Sequence, residues 1–160
     1  MMSQPATNET PAIDAWVRLL RGHAAVVRAL NAQLVRDHGL TINDYEALLL
    51  LAHAPESSLR RVDLAGGLQL TASGVTRLLE GLEHAGYVEK EECTSDRRVV
   101  YASLTEAGRS KLDSASCSHV AAIEELFGSS YEADELRALA GLLGRLPGSG
   151  GGGSCAAPRS

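Results

Sequence analysis

Apolar residues recur at steps of three and four along most of this chain, and that spacing predicts amphipathic helices. A run at 48–51 is apolar nearly all round, which indicates a central, buried helix. Strand-favouring residues dominate only near 87–104. The chain is therefore expected to be mostly α with a small β-hairpin wing. The segments predicted as helices are 12–37, the run between Thr41 or Asn43 and Pro55, 61–67, the run from Thr71 to Gly86, 105–127 and 132–146.

The helix that begins at Thr71 has the clearest boundaries. The Thr71 hydroxyl can accept a hydrogen bond from a first-turn amide, and Gly86 can end the helix in a left-handed conformation. Small side chains let a helix approach DNA closely, hydroxyls bind phosphates or base edges, and an arginine can fork onto guanine. The exposed face has side chains of these kinds: Ala72, Ser73, Thr76 and Arg77. We predict that this face and Thr71 contact the DNA major groove, the alternative being an ordinary solvated face.

The hairpin is predicted from strand-favouring residues at 87–92 and 99–104, with turn-forming residues between them. Leu59 is a candidate for one further short strand. Asp96 precedes Arg98 by two residues and lies on the same side of an extended chain, where it can pair with Arg98 and hold it extended. An arginine presented in this way can enter a narrow minor groove. The alternative is an ordinary hairpin tip.

The net charge of −5 argues at first against a nucleic-acid partner, but the distribution of charge decides more than its total. Arg60 and Arg61 lie at the start of the predicted helix at 61–67, and Arg97 lies at the hairpin tip. Arg60 and Arg61 are expected to bind phosphate, although surface solubility explains them nearly as well. Arg97 either touches phosphate or faces solvent. We expect a basic surface on an acidic protein, with strongly salt-dependent binding.

Three segments resemble the MarR family of bacterial transcription regulators: 70–88, Asp96-Arg97-Arg98 and Leu104-Thr105-Glu106-Ala107-Gly108. The resemblance runs from about Ile13 to Leu146. The last two segments at their spacing are a specific signal, whereas a helix-turn-helix pattern alone would be weak. The resemblance implies a winged helix-turn-helix fold with N- and C-terminal dimerisation helices.

Length and composition predict one domain flanked by two tails, and the resemblance implies that the domain dimerises. The outer helices have more apolar surface than one small lobe can cover, so a homodimer is expected. Its two recognition helices would meet successive major grooves about 34 Å apart, on a pseudo-palindromic operator. The predicted parts are a disordered N-terminus at 1–11, a domain at 12–146 and a flexible Gly/Ser tail at 147–160, the domain comprising dimerisation helices at 12–37 and 105–146 and a DNA-binding lobe at 42–104.

Members of this family bind small ligands between the dimerisation helices and the DNA-binding lobe, and the resemblance implies such a cleft here. Two histidines interrupt the apolar stripes, and an aromatic wall with polar handles would suit a phenolic or aromatic acid. Arg18 is the candidate counter-ion. The ordinary alternative for each histidine is a core residue satisfied by one hydrogen bond. The residues expected to bind the effector are Trp16, Arg18, His23, Tyr45 and His119.

The expected function is that of a ligand-responsive DNA-binding regulator, a repressor that a small aromatic or phenolic effector releases from its operator. Two alternatives remain open: a redox-responsive regulator acting through Cys93 or Cys117, and a winged-helix protein-interaction module that does not read DNA. The odd number of cysteines, without metal-ligand spacing, fits a reducing cytoplasm. No signal peptide or membrane-length apolar run is found. No catalytic constellation or phosphate-binding glycine loop is found either, so no enzymatic activity, cofactor or metal is expected.

Overall fold

The computed structural model describes residues 10–149, and within them the chain is mostly helical with a small antiparallel sheet, as the sequence predicted. A short 3-10 turn at Pro55–Ser57 links the second helix to the first strand. The elements in chain order are α1 (Pro11–His38), α2 (Ile42–His53), β1 (Ser58–Arg60), α3 (Arg61–Leu68), α4 (Ala72–His84), β2 (Val88–Glu92), β3 (Val100–Leu104), α5 (Glu106–Gly128) and α6 (Ala133–Leu143).

The connection from α1 to α2 is set by two local capping arrangements. Gly39 adopts a left-handed conformation with φ of 67°, and its N–H donates to the Val35 carbonyl. The Thr41 hydroxyl accepts from the Asp44 N–H, and the Asp44 carboxylate accepts from the Thr41 N–H at 2.8 Å. This capping box identifies Thr41, rather than Asn43, as the residue that begins α2.

The core lies around α2, which is buried on most of its surface, as its apolar sequence predicted. The helices α3, α4 and α5 pack against it, and so do β1 and β3 of the sheet, whose strand order is β1-β3-β2. Leu59 belongs to β1 and pairs with Ala102 of β3, while Lys90 of β2 pairs with Ala102 from the other side. Leu59 thus provides the further short strand that its sequence suggested. The largest fully buried side chains are Tyr45, Leu34, Leu48, Leu51, Leu64, Leu79, Leu112, Val75 and Val88.

The junction of wing and α5 depends on the Thr105 side chain. Its Oγ1 accepts from the Gly108 N–H at 3.0 Å and donates to the Gly86 carbonyl at 2.7 Å. The Thr105 N–H also donates to the Tyr87 carbonyl at 3.1 Å. One residue therefore caps α5 and ties it to the turn after α4, so the long helix begins at a fixed place against the lobe.

Both ends of the described region differ slightly from the predicted boundaries. Helix α1 already includes Pro11, because proline suits the first helical position, where its missing N–H costs nothing. Helix α6 ends at Leu143, before the predicted Leu146, and the next turns use hydrogen bonds of the i→i−3 type. Gly144, the C-cap of α6, is a poor helix former, which accounts for an end before the predicted Leu146.

The predicted disorder at 1–11 and the predicted tail at 147–160 lie mostly outside the described residues, which exclude 1–9 and 150–160. None of the described helices has both the length and the apolar character needed to cross a membrane.

Candidate nucleic-acid interface and ligand cavity

Helix α4 is fixed at its start by a cap and along its length by its apolar face. Thr71 Oγ1 accepts from the Gly74 N–H at 3.1 Å and lies 3.2 Å from Ser73 Oγ. The hydroxyl that the sequence assigned to DNA binding is therefore engaged in capping the helix. The residues buried on the opposite face are Val75, Leu79 and Leu82, as their spacing predicted, with Leu78 partly buried.

The residues of α4 that are predicted to contact DNA differ in their exposure and in their hydrogen bonding. Ser73 and Arg77 are exposed, whereas Thr76 is half-buried and donates from Oγ1 to the Ala72 carbonyl at 2.9 Å. Arg77 has no hydrogen-bond or ion-pair partner among residues 10–149. Its guanidinium therefore keeps all of its donors available to an external acceptor, and Arg77 is the cation on this face best suited to a base edge or phosphate.

The wing places one arginine in a defined direction. Asp96 Oδ1 accepts from the backbone N–H of Arg98 at 3.0 Å and from its Nε at 3.1 Å, while Oδ2 accepts from Nη2 at 3.3 Å. These hydrogen bonds hold the pKa of Asp96 below its usual range. The Arg98 side chain remains 91% exposed. The pairing agrees with the two-residue spacing. Arg97 is exposed beside it, with no ion-pair partner within the described region.

The two arginines at the start of α3 have different surroundings. Arg60 binds Asp63 through Nε at 2.6 Å and Nη2 at 3.0 Å, and this contact stabilises a helix start that has no side-chain cap. Asp63 raises the pKa of Arg60 through these bonds. Arg61 is half-buried and lines a cavity of about 310 Å³ between α3, α4 and the wing. Lys90 lines the same cavity and pairs with Glu83 at 2.7 Å. Its position in a strand rich in glutamate did not single it out as a candidate cation.

A larger cavity of about 620 Å³ opens between α1, α2, the end of α3 and α5. His23, Tyr45 and His119 line it, three of the five residues predicted to bind an effector. The other residues of its wall are Val27, Leu30, Ile42, Asn43, Glu46, Leu49, Leu50, Gly67, Leu68, Gln69 and Ile123.

The placement of Trp16 and Arg18 corrects the prediction for this cavity, because neither residue lines it. They lie five to seven positions before His23, which is about 8–10 Å nearer the start of α1. Trp16 is 58% exposed, and Arg18 binds Asp14 one turn away through Nε at 2.9 Å. The helical repeat places Trp16 on the same stripe as His23, but the lobe covers only the later turns of α1. Arg18 lies on another side of the helix.

His119 is almost fully buried at the back of the cavity. Its ring centroid lies 4.7 Å from that of Tyr45, and its Nδ1 lies 3.1 Å from Gln33 Oε1. Desolvation, with a smaller contribution from the charge of His38, lowers the pKa of His119. His119 is thus both a core histidine with a hydrogen bond, as the ordinary alternative predicted, and part of a cavity wall.

The comparisons with known proteins agree with this geometry. The model of the MarR family matches residues 40–100. AbsC, a MarR family transcriptional regulator from Streptomyces coelicolor, is 30% identical to this chain with a TM-score of 0.74. The alignment covers 84% of this chain and 91% of AbsC. The chain belongs to the MarR family.

Two further MarR-type neighbours carry bound molecules in their structures. Sco3205 from Streptomyces coelicolor, solved in complex with DNA, is 26% identical over 88% of each chain, with a TM-score of 0.76. CouR from Rhodococcus jostii RHA1, solved with p-coumaroyl-CoA, is 26% identical, with a TM-score of 0.67 and coverage of 86% of this chain and 94% of CouR. The first curated relatives are HTH-type regulators of Bacillus subtilis, and the matches span 64% of their length. These relatives are transcription regulators and not enzymes, as predicted.

Two cysteines of this MarR family member are described, and both are free thiols. Cys93 is half-buried before the wing tip, with Sγ 3.1 Å from Ser95 Oγ, and hydrogen bonds from Ser95 and from the backbone at Asp96 lower its pKa. Cys117 is exposed on α5. Redox control through either thiol stays a prediction. Within 10–149, no group of three or more His, Cys, Asp or Glu residues is arranged to hold a metal ion.

Proposed function

We propose that this chain is a sequence-specific duplex-DNA-binding transcription regulator that reads its operator with α4 and the wing. The observation that carries the proposal is the pairing of a tethered, exposed Arg98 on the wing with an unpaired Arg77 on α4. An arginine in the minor groove and a small-faced helix in the major groove together provide both shape and base readout. The DNA complex of Sco3205 supports this assignment.

The regulator acts as a homodimer. Within the described residues 10–149, helix α6 contains no buried residue, and the first turns of α1 contain none either. A second copy that covers these surfaces would bring two α4 helices to successive major grooves about 34 Å apart, which calls for a pseudo-palindromic operator. The large apolar residues left exposed on these outer helices and the turn after α6 are Ile13, Trp16, Leu20, Leu142, Leu143 and Leu146.

A small aromatic or phenolic effector is proposed to act from the 620 Å³ cavity, which has the size of ordinary ligand sites. The cavity lies between the outer helices α1 and α5 and the lobe helices α2 and α3, so a ligand there can change the spacing of the two halves. The ligand can reduce operator binding by no more than its differential affinity for the two spacings. The ligand complex of CouR supports this part, and the resulting role is that of a cytoplasmic repressor.

A mobility-shift assay on the DNA upstream of the chain's own gene tests the proposal. The wild-type protein is expected to shift this fragment in the presence of excess unrelated duplex. Arg77→Ala is expected to reduce the preference for the operator by about 1–3 kcal/mol, because a bidentate contact to guanine is lost. Equal weakening on every duplex would assign Arg77 to phosphate. A wild-type protein that prefers no sequence would contradict sequence-specific DNA binding.

A further inference from the structure

The charge on the wall of the 620 Å³ cavity restricts the ligands that it can hold. Within residues 10–149, no lysine or arginine lines this space, and Arg18, the counter-ion expected for an aromatic acid, lies outside it paired with Asp14. The one carboxylate of the wall belongs to Glu46, whose partial desolvation raises its pKa. An anionic ligand would lose its hydration here without gaining a cation, which is unfavourable.

The polar groups at the back of the cavity are fixed by a relay of hydrogen bonds. Gln33 Nε2 lies 3.1 Å from Asp37 Oδ2 and 3.3 Å from Ser118 Oγ. A carboxylate only accepts, so the Gln33 amide directs its NH₂ toward Asp37 and its oxygen toward His119. The Nδ1 atom of His119 must therefore donate to Gln33 Oε1.

The relay leaves His119 with an acceptor for the cavity. In the neutral ring that burial favours, Nδ1 carries the proton and Nε2 carries a lone pair. Every solvent-shielded side-chain nitrogen or oxygen in the described region has a hydrogen-bond partner. Nε2 of His119 has none there, so it is accessible, and the accessible space beside this buried ring is the cavity.

We infer that the cavity selects aromatic molecules that donate a hydrogen bond and are neutral or cationic, such as phenols and arylalkylamines, and that it rejects aromatic carboxylates. His119 Nε2 receives a hydroxyl or amine proton, Glu46 favours a positive charge, and the apolar wall takes the ring. Asn43 and Gln69 are uncharged, and His23 stands at the exposed rim. The inference narrows the effector class of the proposed function and rests on that function only for its regulatory consequence.

Isothermal titration of the full chain with four ligands of one ring system tests the inference, at about pH 8 where ordinary histidines are neutral. The ligands are naphthol, naphthylmethylamine, naphthoate and methoxynaphthalene, which differ in charge and in hydrogen-bond donation. The first two are expected to bind at least about tenfold more tightly than the last two, the size of effect that one hydrogen bond provides. Naphthoate binding as tightly as naphthol would overturn the inference, and so would the absence of binding by all four ligands.

Substitutions at Glu46 and His119 test the contributions of these two hydrogen-bond acceptors separately. Glu46→Gln is expected to raise the Kd of naphthylmethylamine about tenfold and to change that of naphthol little. The matched control Glu125→Gln removes an exposed carboxylate of α5 outside the cavity and is expected to change neither. His119→Phe is expected to abolish the advantage of naphthol over methoxynaphthalene. If His119→Phe fails to fold, the relative affinities of the four ligands and the effect of Glu46→Gln still test the inference. Unchanged binding of naphthylmethylamine to Glu46→Gln would contradict the role of that carboxylate.

The mobility-shift assay keeps the two proposals apart. If naphthoate alone released the operator, ligand-responsive regulation would still be supported, but the inferred selectivity for neutral or cationic donors would be wrong. If the four ligands bound in the expected order but the protein shifted no DNA, the inferred ligand class would be supported and the DNA-binding function contradicted.

Discussion

Arg98 and Arg77 differ in how firmly their side chains are held before DNA binds. Asp96 holds Arg98 through the backbone and the side chain, so the direction of this arginine is set before any duplex arrives. Arg77 is free to choose its rotamer and must be ordered on binding. Preorganisation reduces the entropy lost on association. We therefore expect Arg98 to act as a fixed probe of groove shape and Arg77 to adapt to the bases beneath it.

Replacing Arg98 by alanine tests whether this preoriented arginine contacts the DNA groove. Arg98→Ala is expected to raise the Kd for operator DNA about tenfold, because a groove contact is lost. The Tm should stay nearly unchanged, since the pair with Asp96 is exposed. Fluorescence anisotropy and thermal unfolding measure both effects. Arg137→Ala, which removes an exposed arginine paired with Asp134 on α6, is the control. A fall in Tm large enough to account for weaker binding would reassign Arg98 to structure.

His119 makes the stability of the fold depend on pH. Its pKa is lowered from the ordinary value of 6.5, so the unfolded chain takes up the proton first as the pH falls. The contribution of neutral His119 is therefore complete above about pH 6.5 and is lost as the pH falls below it. In urea unfolding, the stability difference between wild type and His119→Gln should shrink from pH 8 to pH 5. A difference that grows over this range would mean that the charged form is the stabilised one.

At the scale of elements, the start of α5 packs closely against the residue that precedes the wing. A Cβ at Gly108 would overlap the Tyr87 carbonyl oxygen and crowd Leu104. Backbone atoms cannot move aside as a flexible side chain can. Glycine is therefore required at the fifth position of the Leu104–Gly108 segment by close packing, and the segment's threonine is required as the cap.

The junction gives a matched pair of substitutions. Gly108→Ala is expected to lower the free energy of unfolding by about 1–3 kcal/mol through overpacking. Gly81→Ala, in the interior of α4 with nothing near the added methyl group, is expected to raise it by up to about 1 kcal/mol through helix propensity. Chemical denaturation measures both. Equal effects at the two positions would mean that the approach of α5 to Tyr87 is not tight in solution.

At the scale of the whole molecule, a single chain leaves apolar surface on its outer helices exposed to solvent. Leu142 is 56% exposed on a helix that has no buried residue in the part of the chain that the structure describes, although the apolar side of α6 has the spacing of a packed helix. Such a surface is an interface or an aggregation site. The same reasoning applies to the first turns of α1, where Trp16 lies.

Leu142→Glu is expected to shift the protein from dimer to monomer in sedimentation experiments, because a charge would be buried at the interface. Operator affinity should fall by at least about 100-fold, since each half-site would then bind separately. Glu132→Gln, which changes charge at the N-cap of α6, provides the control. A dimer that persists in Leu142→Glu would place the interface elsewhere.

The sequence by itself determined the local features of this protein. The helix starts at Thr71 and Thr105, the apolar face of α4 and the Asp96–Arg98 pair all depend on residues within four positions of one another. The start of α2 was left open between Thr41 and Asn43, and the structure decided it. Periodicity and capping report such short-range geometry directly. The fold class followed from the order of these elements.

Only the tertiary structure decided which side chains share a space. His23, Tyr45 and His119 reach one cavity, but Trp16 does not, because the stripe repeats along all of α1 while the lobe covers only its later turns. Arg18 also lies outside the cavity, paired with Asp14. Glu46 lies in the cavity wall, and Gln33 of α1 sets the tautomer of His119 on α5. The Gln33–Asp37 contact lies within one helix, but the contact between Gln33 and His119 joins two helices, and no spacing within one helix encodes it.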